Sequence, residues 1–421
     1  MSQSGPRDVP WRGRAACLHS RPTSGRLVSA QAYGQARWSA QERQIVLANS
    51  LSPAEVVNLI AREPPVAVIL RTGSLADHTA GLLNSRGIQL AIVEGMPAKI
   101  DGLYARIDGL AEMIVIGSLN DTIASADDAA TLAAPQSSSG PLLYRNKAVE
   151  VYVDAMSPYE LKAGILAGAT GVGILRTEWI GATRDEPPSL DEQISLYRAA
   201  AVAVAPFVLR VRLFDIGGDK LPTWAQGHAE ALGSPLGFRG IRAARIFPDV
   251  YLAQLQALAT IARETRVGIV IPMVTDSTDV DVVITQLAGI ADERIRRNLE
   301  IGVLVEVPSA ALLLDALLPA IDFVRVGPGD LTQFTLAKLR SNLRPEDISG
   351  SAFHPAVVRL IEHVALACAS AGKPATLCLD IEPRGSLLRQ LLQAGVNVFC
   401  VSPSNVALTR QRIFDVCQSF R

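Results

Sequence analysis

Short apolar runs rich in Val, Ile and Leu recur along the second part of the chain, and helical stretches separate them. This alternation predicts βα units and a parallel sheet. The predicted strands are 149–154, 171–176, 207–212, 267–272, 301–306, 323–326, 374–378 and 396–401. Eight strands joined by crossovers indicate an α/β fold with a (β/α)8 TIM barrel, in which catalytic groups lie at the carboxyl ends of the strands.

The first part of the chain has shorter alternations of strand and helix, such as the Ser-capped helical segment LSPAEVVNLIAR. We predict a small α/β domain at 26–126, a linker rich in Ala, Ser, Gly and Pro at 127–146, and the barrel at 147–421. Residues 1–25 are rich in Arg, Ser, Gly and Pro and predict a disordered leader. A transit peptide is the weaker interpretation of this leader.

Composition narrows the possible partners. Forty Lys plus Arg against 41 Asp plus Glu give a net charge of −1, which argues against nucleic acid or an anionic membrane as a partner. Hydrophobic residues make up 49% and aromatic residues 5%, which favours buried parallel strands over an all-β sandwich or a disordered chain. No apolar run reaches the roughly 18 residues that span a bilayer. Five scattered cysteines without a CxxC pair predict a reducing cytoplasm.

Charged or reactive side chains close several predicted barrel strands or follow them. They are Arg176, Arg212 with Asp215 and Lys220, Glu306, Asp330 and Cys378, while Arg239 and Arg340 lie in loop segments. For any single one of these residues, a role as a surface cap or as a member of a salt bridge explains its position equally well. Taken together, these residues are typical of one binding site. Planar guanidinium groups bind phosphate and carboxylate oxygens, and two carboxylates can bind Mg²⁺. The sequence therefore predicts a small phosphorylated carboxylate bound with Mg²⁺.

His78 and Cys378 are the candidate reactive groups. His78 lies where a Gly-containing loop leads into an apolar helical stretch, and a helix N-terminus there would favour phosphate. A lone histidine is nevertheless more often structural, and a buried cysteine is often only a small hydrophobe. The residues alone leave these alternatives open.

Seven segments in a fixed order resemble the enzyme I proteins of the bacterial phosphoenolpyruvate:sugar phosphotransferase system, a family within the phosphoenolpyruvate (PEP)-utilising enzymes. The segments are GSLADHTA, GVGILRTEW, FDIGGDK, GFRGIR, IVIPMV, VLVEVPSA and GDLTQFTLA. The resemblance covers nearly everything from about Arg26 onward. It implies that His78, on a small swivelling domain, takes the phosphoryl group of PEP. It also implies that Cys378 protonates the departing enolpyruvate, so that pyruvate is released.

The resemblance also implies the substrate and metal ligands. The arginines that correspond to the family's clamp around PEP are Arg176, Arg212, Arg239 and Arg340. Lys220 lies in the supporting loop, and Glu306 with Asp330 correspond to the Mg²⁺ ligands. Neutral imidazole as the nucleophile, with charge stabilisation from a metal and an arginine clamp, fits a loose phosphoryl-transfer transition state. Relatives in this family dimerise through their barrels, so a homodimer is expected.

The sequence departs from the family at several places. Only about twenty residues lie between 26 and 45, so we expect no inserted helical domain for docking the small histidine phosphocarrier protein. Asp77 stands where the family has Ser or Thr, Gly329 where it has Asn, and Leu379 where it has Gly. These changes put the usual acceptor in question, and a small molecule is the alternative acceptor.

The prediction is an Mg²⁺-dependent phosphotransferase that moves the phosphoryl group of PEP to His78 and then to a protein or small-molecule acceptor. One alternative is a non-catalytic PEP-binding regulator, which the changes at Asp77, Gly329 and Leu379 favour. Another is a small-molecule phosphotransferase unrelated to sugar transport. A barrel lyase or mutase acting on the same substrate would not need His78.

Overall fold

The structure is a computed structural model, and it describes the following parts of the chain. The described residues are 11–14, 16–17, 23–29, 44–51, 55–56, 59, 65–72, 79, 83, 88–93, 96, 103–108, 113–117, 141–339, 354–379 and 385–418. Two predicted site residues, His78 and Arg340, lie outside these ranges. The chain divides into two compact units, Met1–Pro135 and Gln136–Arg421.

The first unit contains one mixed sheet. Its strands are β1 Trp11–Arg14, β2 Ala16–Cys17, β3 Thr23–Ser29, β4 Gln44–Ala48, β5 Ala67–Leu70, β6 Gln89–Ile92, β7 Tyr104–Asp108 and β8 Met113–Gly117. They lie in the order β1-β8-β7-β3-β4-β5-β6-β2. Strands β3 to β6 run parallel. Their apolar side chains, including Ile45 and Ile69, form a buried core.

The structure differs from the sequence prediction at residues 1–25. The strand Trp11–Arg14 pairs antiparallel with β8, and Ala16–Cys17 pairs with β6. Here the backbone of the Arg- and Gly-containing segment supplies ladder hydrogen bonds at both edges of the sheet. Strand β3 also begins at Thr23 and pairs with β7, a strand that the apolar pattern had not indicated.

The second unit is a closed barrel, which confirms the predicted fold class. Its strands are β9 Leu142–Tyr144, β10 Lys147–Ala155, β11 Gly171–Leu175, β12 Leu209–Arg212, β13 Val267–Ile271, β14 Leu299–Val305, β15 Phe323–Val326, β16 Ala375–Leu379 and β17 Val398–Val401. Strands β10 to β17 are parallel, and β10 pairs with both β11 and β17. All eight predicted barrel strands are present within two residues of their predicted bounds. Strand β9 is an antiparallel addition to β10, inside the range predicted as linker.

Helices connect the strands. They are α1 Pro158–Leu166, α2 Leu190–Val204, α3 Ala229–Leu232, α4 Pro248–Ala262, α5 Ser277–Ile290, α6 Glu293–Asn298, α7 Pro308–Leu312, α8 Leu314–Leu317, α9 Pro328–Leu336, α10 Pro355–Ser370, α11 Gly385–Gln393 and α12 Val406–Gln418. Short 3-10 turns lie at Thr223–His228, Gly240–Arg245, Leu318–Ala320 and Pro403–Asn405. Polar caps fix several helix starts: Ser189 and Glu192, for example, form a reciprocal capping box at α2. No helix in these described ranges is long and apolar enough to cross a membrane.

Successive strand residues alternate between two apolar cores. Ile269 and Val303 face the helices and belong to the large outer core. Val270 and Leu304 belong to a small cluster with Phe323. This alternation is the period-two pattern expected of a strand buried on both faces. The residues that point away from the helices therefore fill the barrel rather than line a pore.

A glycine makes room for the largest of these interior side chains. Gly302 lies in register with Phe323, and a Cβ atom at Gly302 would overlap the Phe323 ring. Arg210 lies over the same ring, with its guanidinium carbon 4.8 Å from the ring centroid. The ring thus occupies the space that a side chain at Gly302 would need.

Replacing Gly302 with Ala should destabilise the barrel by about 1–3 kcal/mol, because the new methyl group overpacks the Phe323 ring. The measurement is the free energy of unfolding from urea titration. Gly289→Ala is the control, since a Cβ atom there meets nothing within 4 Å and Gly289 lies in α5. The control should be neutral or stabilising by up to about 1 kcal/mol. Equal values for the two variants would contradict this account of the barrel interior.

Candidate active site

Asp215 is the centre of a buried charge cluster at the carboxyl end of β12. Its side chain has no solvent-accessible surface and contacts three cations. The Asp215 carboxylate accepts hydrogen bonds from Arg239 Nε at 3.1 Å and Nη2 at 3.2 Å, and from Lys220 Nζ. Arg212 Nη1 lies 3.5 Å from Asp215 Oδ2. A single carboxylate thus holds together three side chains that would otherwise repel each other.

Glycines shape the loop that carries Asp215. Gly217 and Gly218 have φ angles of +123° and +63°, which side-chain-bearing residues rarely adopt. A Cβ atom at Gly217 would lie 3.0 Å from the carbonyl oxygen of Phe238, so the loop packs directly on the segment that carries Arg239. The sequence FDIGGDK therefore brings Asp215 and Lys220 against Arg239.

Arg239 bridges two carboxylates that follow different strands, Asp215 after β12 and Asp330 after β15. Its Nη1 and Nη2 atoms donate to Asp330 at 3.1 and 3.0 Å, while Nε and Nη2 donate to Asp215. Asp330 lies in the first turn of α9, directly after β15. The Tyr251 hydroxyl shares its hydrogen between the carbonyl oxygens of Phe214, at 2.6 Å, and Gly240, at 2.7 Å. This contact ties the backbones beside Asp215 and Arg239 together.

Arg212 is the last residue of β12, and buried polar groups hold it in place. Its Nη2 atom donates to Glu178, in the segment that follows β11. The side chain of Gln254, in α4, holds the neighbouring backbone: its Nε2 atom donates to the Arg212 carbonyl oxygen at 3.3 Å, and its Oε1 atom accepts from Phe214 N at 2.8 Å. Arg176 follows β11 directly, its backbone N–H donates to Ala155 O at 2.8 Å, and it is only partly buried.

Glu306 is the second predicted metal carboxylate, and it is buried after β14. Its Oε2 atom accepts a hydrogen bond from Met273 N at 3.0 Å, and its Oε1 atom lies 4.0 Å from Arg212 Nη1. Burial, together with the charges of Asp330 and Asp215, raises the pKa of Glu306 to about 7, although Arg212 and Arg239 act in the opposite direction. Glu306 therefore binds a proton near neutral pH.

Two other carboxylates of this cluster, Asp215 and Glu178, stay ionised. Burial alone would raise the pKa of Asp215, but Arg239, Lys220 and Arg212 hold it well below its usual range. Burial also opposes ionisation of Glu178, yet Arg212 and Lys220 lower its pKa to about 2. The cluster thus contains the ionised carboxylates of Asp215 and Glu178, which are paired with cations. It also contains the carboxyl group of Glu306, whose negative charge the cations do not fully balance.

The donor set around Glu306 and Asp330 fits a divalent cation. Two carboxylates from neighbouring strands supply hard oxygen ligands, and Mg²⁺ commonly takes its remaining ligands from substrate phosphates and water. A raised pKa at Glu306 indicates negative charge that such a cation would balance. In the part of the chain that the structure describes, no group of three or more His, Cys, Asp or Glu residues forms a complete protein site. The fit is therefore to a metal that shares its ligands with a bound anion.

Cys378 lies in β16 and points into the barrel, where it is 7% exposed. Its Sγ atom accepts a hydrogen bond from Arg325 Nη2 at 2.8 Å. Arg325 is also paired with Asp154 of β10, at 2.8 Å. The sequence prediction did not single out Glu178, Arg325 or Asp154. The available signal was an isolated charge within an apolar strand, as in the FVRV run of β15.

The structure brings five of the nine predicted site residues into one contact network. These are Arg212, Lys220, Arg239, Glu306 and Asp330. Arg176 and Cys378 lie in or directly after barrel strands, as predicted. The charge of Arg176 acts on Glu178, the partner of Arg212, while Cys378 contacts Arg325. His78 and Arg340 fall outside the described residues, so their roles stay predictions.

A comparison with known families agrees with this site. Residues 133–417 match the family described as PEP-utilising enzyme, PEP-binding domain. This match spans the whole barrel, including the charge cluster. The chain belongs to the PEP-utilising enzymes. The family resemblance inferred from the motifs is thereby confirmed.

Individual relatives carry names consistent with this family. The chain is 32% identical to a phosphoenolpyruvate-protein phosphotransferase of Cupriavidus necator over 260 residues, which cover 60% of this chain and 44% of that protein. It is 26% identical to the phosphoenolpyruvate-protein phosphotransferase of Staphylococcus carnosus over 401 residues, covering 90% and 68%. It is 31% identical to a multiphosphoryl transfer protein of Xanthomonas campestris pv. campestris over 385 residues, covering 88% and 45%. The chain spans about half the length of two of these relatives, those of Cupriavidus necator and Xanthomonas campestris pv. campestris.

Replacing Asp215 with Asn should destabilise the PEP-utilising barrel by about 3 kcal/mol or more, because buried cations lose their shared counter-charge. The free energy of unfolding in urea measures this loss. Glu293→Gln removes an exposed carboxylate from its pair with Arg297, and this control should leave stability unchanged. An Asp215→Asn protein as stable as the control would show that Asp215 does not hold the cluster together.

Glu306 should make stability depend on pH in an unusual direction. The folded protein keeps a proton on Glu306 up to about pH 7, whereas the unfolded chain loses it near the ordinary value of 4.5. Stability should therefore fall as pH rises across this interval, by about 3 kcal/mol in total. Glu306→Gln should remove this fall. Unfolding titrations at several pH values test the prediction, and an unchanged pH dependence in Glu306→Gln would contradict it.

Proposed function

We propose that this protein is an Mg²⁺-dependent phosphotransferase that moves the phosphoryl group of PEP to His78 and releases pyruvate. The phosphoryl group then passes to a protein or small-molecule acceptor. The observation that carries this proposal is the network of Arg212, Lys220 and Arg239 with buried carboxylates at the carboxyl end of the barrel. This position is where TIM barrels hold their active sites.

The cations suit the charge of PEP. The guanidinium groups of Arg212 and Arg239 are rigid, planar and permanently charged, and they can bind phosphate or carboxylate oxygens in pairs. Phosphoryl transfer needs mainly positioning and stabilisation of charge on the transferred oxygens. Arg176 and Arg340 are assigned to the same clamp on the family resemblance. When bound to Glu306 and Asp330, Mg²⁺ would neutralise phosphate charge.

The reaction can be written with balanced bonds. The bond between phosphorus and the enol oxygen of PEP breaks, and a bond from phosphorus to an imidazole nitrogen of His78 forms. The enolpyruvate that leaves takes a proton at carbon three from the Cys378 thiol, which gives pyruvate. A general acid within reach of the departing group is what this second step requires. Cys378 supports this role because it lies inside the barrel at the carboxyl end of β16.

The acceptor, assembly and location are also part of the proposal. The relatives' names refer to phosphoryl transfer to protein, which supports a protein acceptor, and the family resemblance suggests a histidine phosphocarrier protein. Enzymes of this family dimerise through their barrels, so a homodimer is proposed. A cytoplasmic location fits Cys368 and Cys400, which form no disulfide.

A PEP-binding regulator is the second candidate. Gly329 is a buried residue in the first turn of α9 and offers no side-chain amide beside Asp330. Leu379 ends β16 directly after the thiol. These two changes could lower catalytic activity while leaving the cation network intact for binding.

Incubation with Mg²⁺ and PEP that carries a labelled phosphoryl group should give acid-labile label on the protein, together with pyruvate. His78→Ala should abolish the label, because the nucleophilic nitrogen is removed. The control His363→Ala changes an exposed histidine in α10 and should retain full labelling. Tight PEP binding by calorimetry without any label would overturn the phosphotransferase and favour the regulator.

Chelation of divalent cations should abolish labelling, and added Mg²⁺ should restore it. Independently of activity, Mg²⁺ should raise the thermal unfolding temperature more at pH values above about 7 than below, because ionised Glu306 binds the cation. Glu306→Gln should lose this difference. An equal effect of Mg²⁺ on the wild-type and Glu306→Gln proteins would show that Glu306 is not a ligand.

A further inference from the structure

A second buried ion pair lies inside the barrel, apart from the Asp215 network. Arg325 of β15 has no solvent-accessible surface, and its Nη2 atom lies 3.0 and 2.8 Å from the two carboxylate oxygens of Asp154. Asp154 also accepts a hydrogen bond from Ile174 N at 2.9 Å. Burying such a pair carries a large cost of desolvation and often gives no net stability. Stability alone therefore does not account for this pair.

The remaining contacts of Arg325 are to sulfur. Its Nη2 atom lies 2.8 Å from Cys378 Sγ, and its Nη1 atom lies 3.2 Å from Cys400 Sγ. Cys378 and Cys400 are paired in register on the neighbouring strands β16 and β17. One guanidinium group therefore contacts both thiols while Asp154 holds it from β10.

The strand register places Cys378 at the height of the Asp215 network. Val326 pairs with Val305 on one side and with Leu377 on the other. One residue further along these strands, Gly327 is level with both Glu306 and Cys378. The Glu306 side chain covers Gly327, since a Cβ atom there would lie 2.8 Å from Glu306 Cγ. Cys378 is thus two strands away from Glu306, in the same layer of the barrel.

We propose that Arg325, held by Asp154, is a positioning residue for Cys378: it fixes the direction of the sulfur and stabilises the thiolate left after proton donation. This inference rests on the proposed function, in which Cys378 protonates enolpyruvate. In that step the S–H bond breaks and a C–H bond forms at carbon three. The electrons of the enolate C=C bond form the new C–H bond, and the enolate oxygen becomes the ketone oxygen. The sulfur keeps the negative charge until it takes a proton from water.

Arg325 is a charged partner of the Cys378 sulfur. Among the described residues, Ile174, Val270, Leu304 and Phe323 form the apolar cluster around it. In the part of the chain that the structure describes, the titratable groups that face it include Arg325 from β15 and Cys400 from β17, with Asp154 from β10 reaching it through Arg325. Burial would lower the pKa of Arg325, but Asp154, Cys378 and Cys400 raise it, so the guanidinium stays charged. Burial raises the pKa of Cys400 to about 11, so Cys400 remains a neutral thiol near pH 7.

The test is the titration of the Cys378 thiol, followed by the ultraviolet absorbance of the thiolate. Subtracting the curve of Cys378→Ser isolates the signal of this one sulfur. Arg325→Leu should move the titration to higher pH by about one unit or more, because the neighbouring cation is removed. Asp154→Asn should move it to lower pH, since it removes the anion that offsets Arg325. Arg210→Leu is the control, because Arg210 is another barrel arginine, bonded to Val172 O and Glu300, and should leave the titration unchanged.

Shifts in opposite directions for Arg325→Leu and Asp154→Asn would support the proposal, since a purely structural role predicts no such pair. An unchanged Cys378 titration in both variants would overturn it. If Arg325→Leu does not fold, Arg325→Lys replaces it as a variant that keeps the charge. The shift of the Cys378 titration to lower pH in Asp154→Asn then still tests the proposal. The titration needs no phosphoryl transfer. A failed labelling of His78 would therefore reject the proposed function without deciding the role of Arg325.

Discussion

The carboxylate of Asp215 is the constraint on which the barrel mouth depends. Three buried cations contact or approach it, and like charges repel more strongly in the protein interior than in water. Arg239 and Lys220 could not occupy this volume together without it. The backbone follows from the same requirement, because only a loop with glycines at positive φ brings Asp215 against Arg239. The backbone conformation of this loop and the balance of charge around Asp215 therefore depend on each other.

Two of the charge systems in the described part of the barrel differ in their balance of charge. In the Asp215 network, burial together with the charges of Asp330 and Asp215 raises the pKa of Glu306 to about 7, while Arg212 and Arg239 act in the opposite direction. In the other system, Arg325 and Asp154 are balanced by themselves, and the thiols contact the same guanidinium. The first arrangement favours an added cation, while the second favours a transient negative charge on sulfur. A substrate that carries phosphate at one end and a reactive carbon at the other would contact both charge systems.

The fold and the site differed in how far the sequence could predict them. Strands such as Phe323–Val326 were predictable because both faces are buried, so their apolar runs are continuous. Arg212 and Asp330 were predictable because charges at strand ends converge in a barrel. The pair of Arg325 and Asp154 was not, since its members are 171 positions apart and meet only when the barrel closes. Strand β1 was missed because its pairing with β8 supplies structure that its own composition does not indicate.

Buried charges also limit how such a site can change. Removing one member of the Arg325 and Asp154 pair would leave the other charged and unpaired in an apolar interior, which costs several kcal/mol. A double replacement of the pair by uncharged residues would avoid leaving an unpaired charge, and the same holds for Asp215 and the cations it contacts. Gly329 and Leu379 fall outside this constraint, because neither side chain carries a charge. The uncharged positions around the site can differ from the family pattern, whereas each buried charge is fixed by its partner.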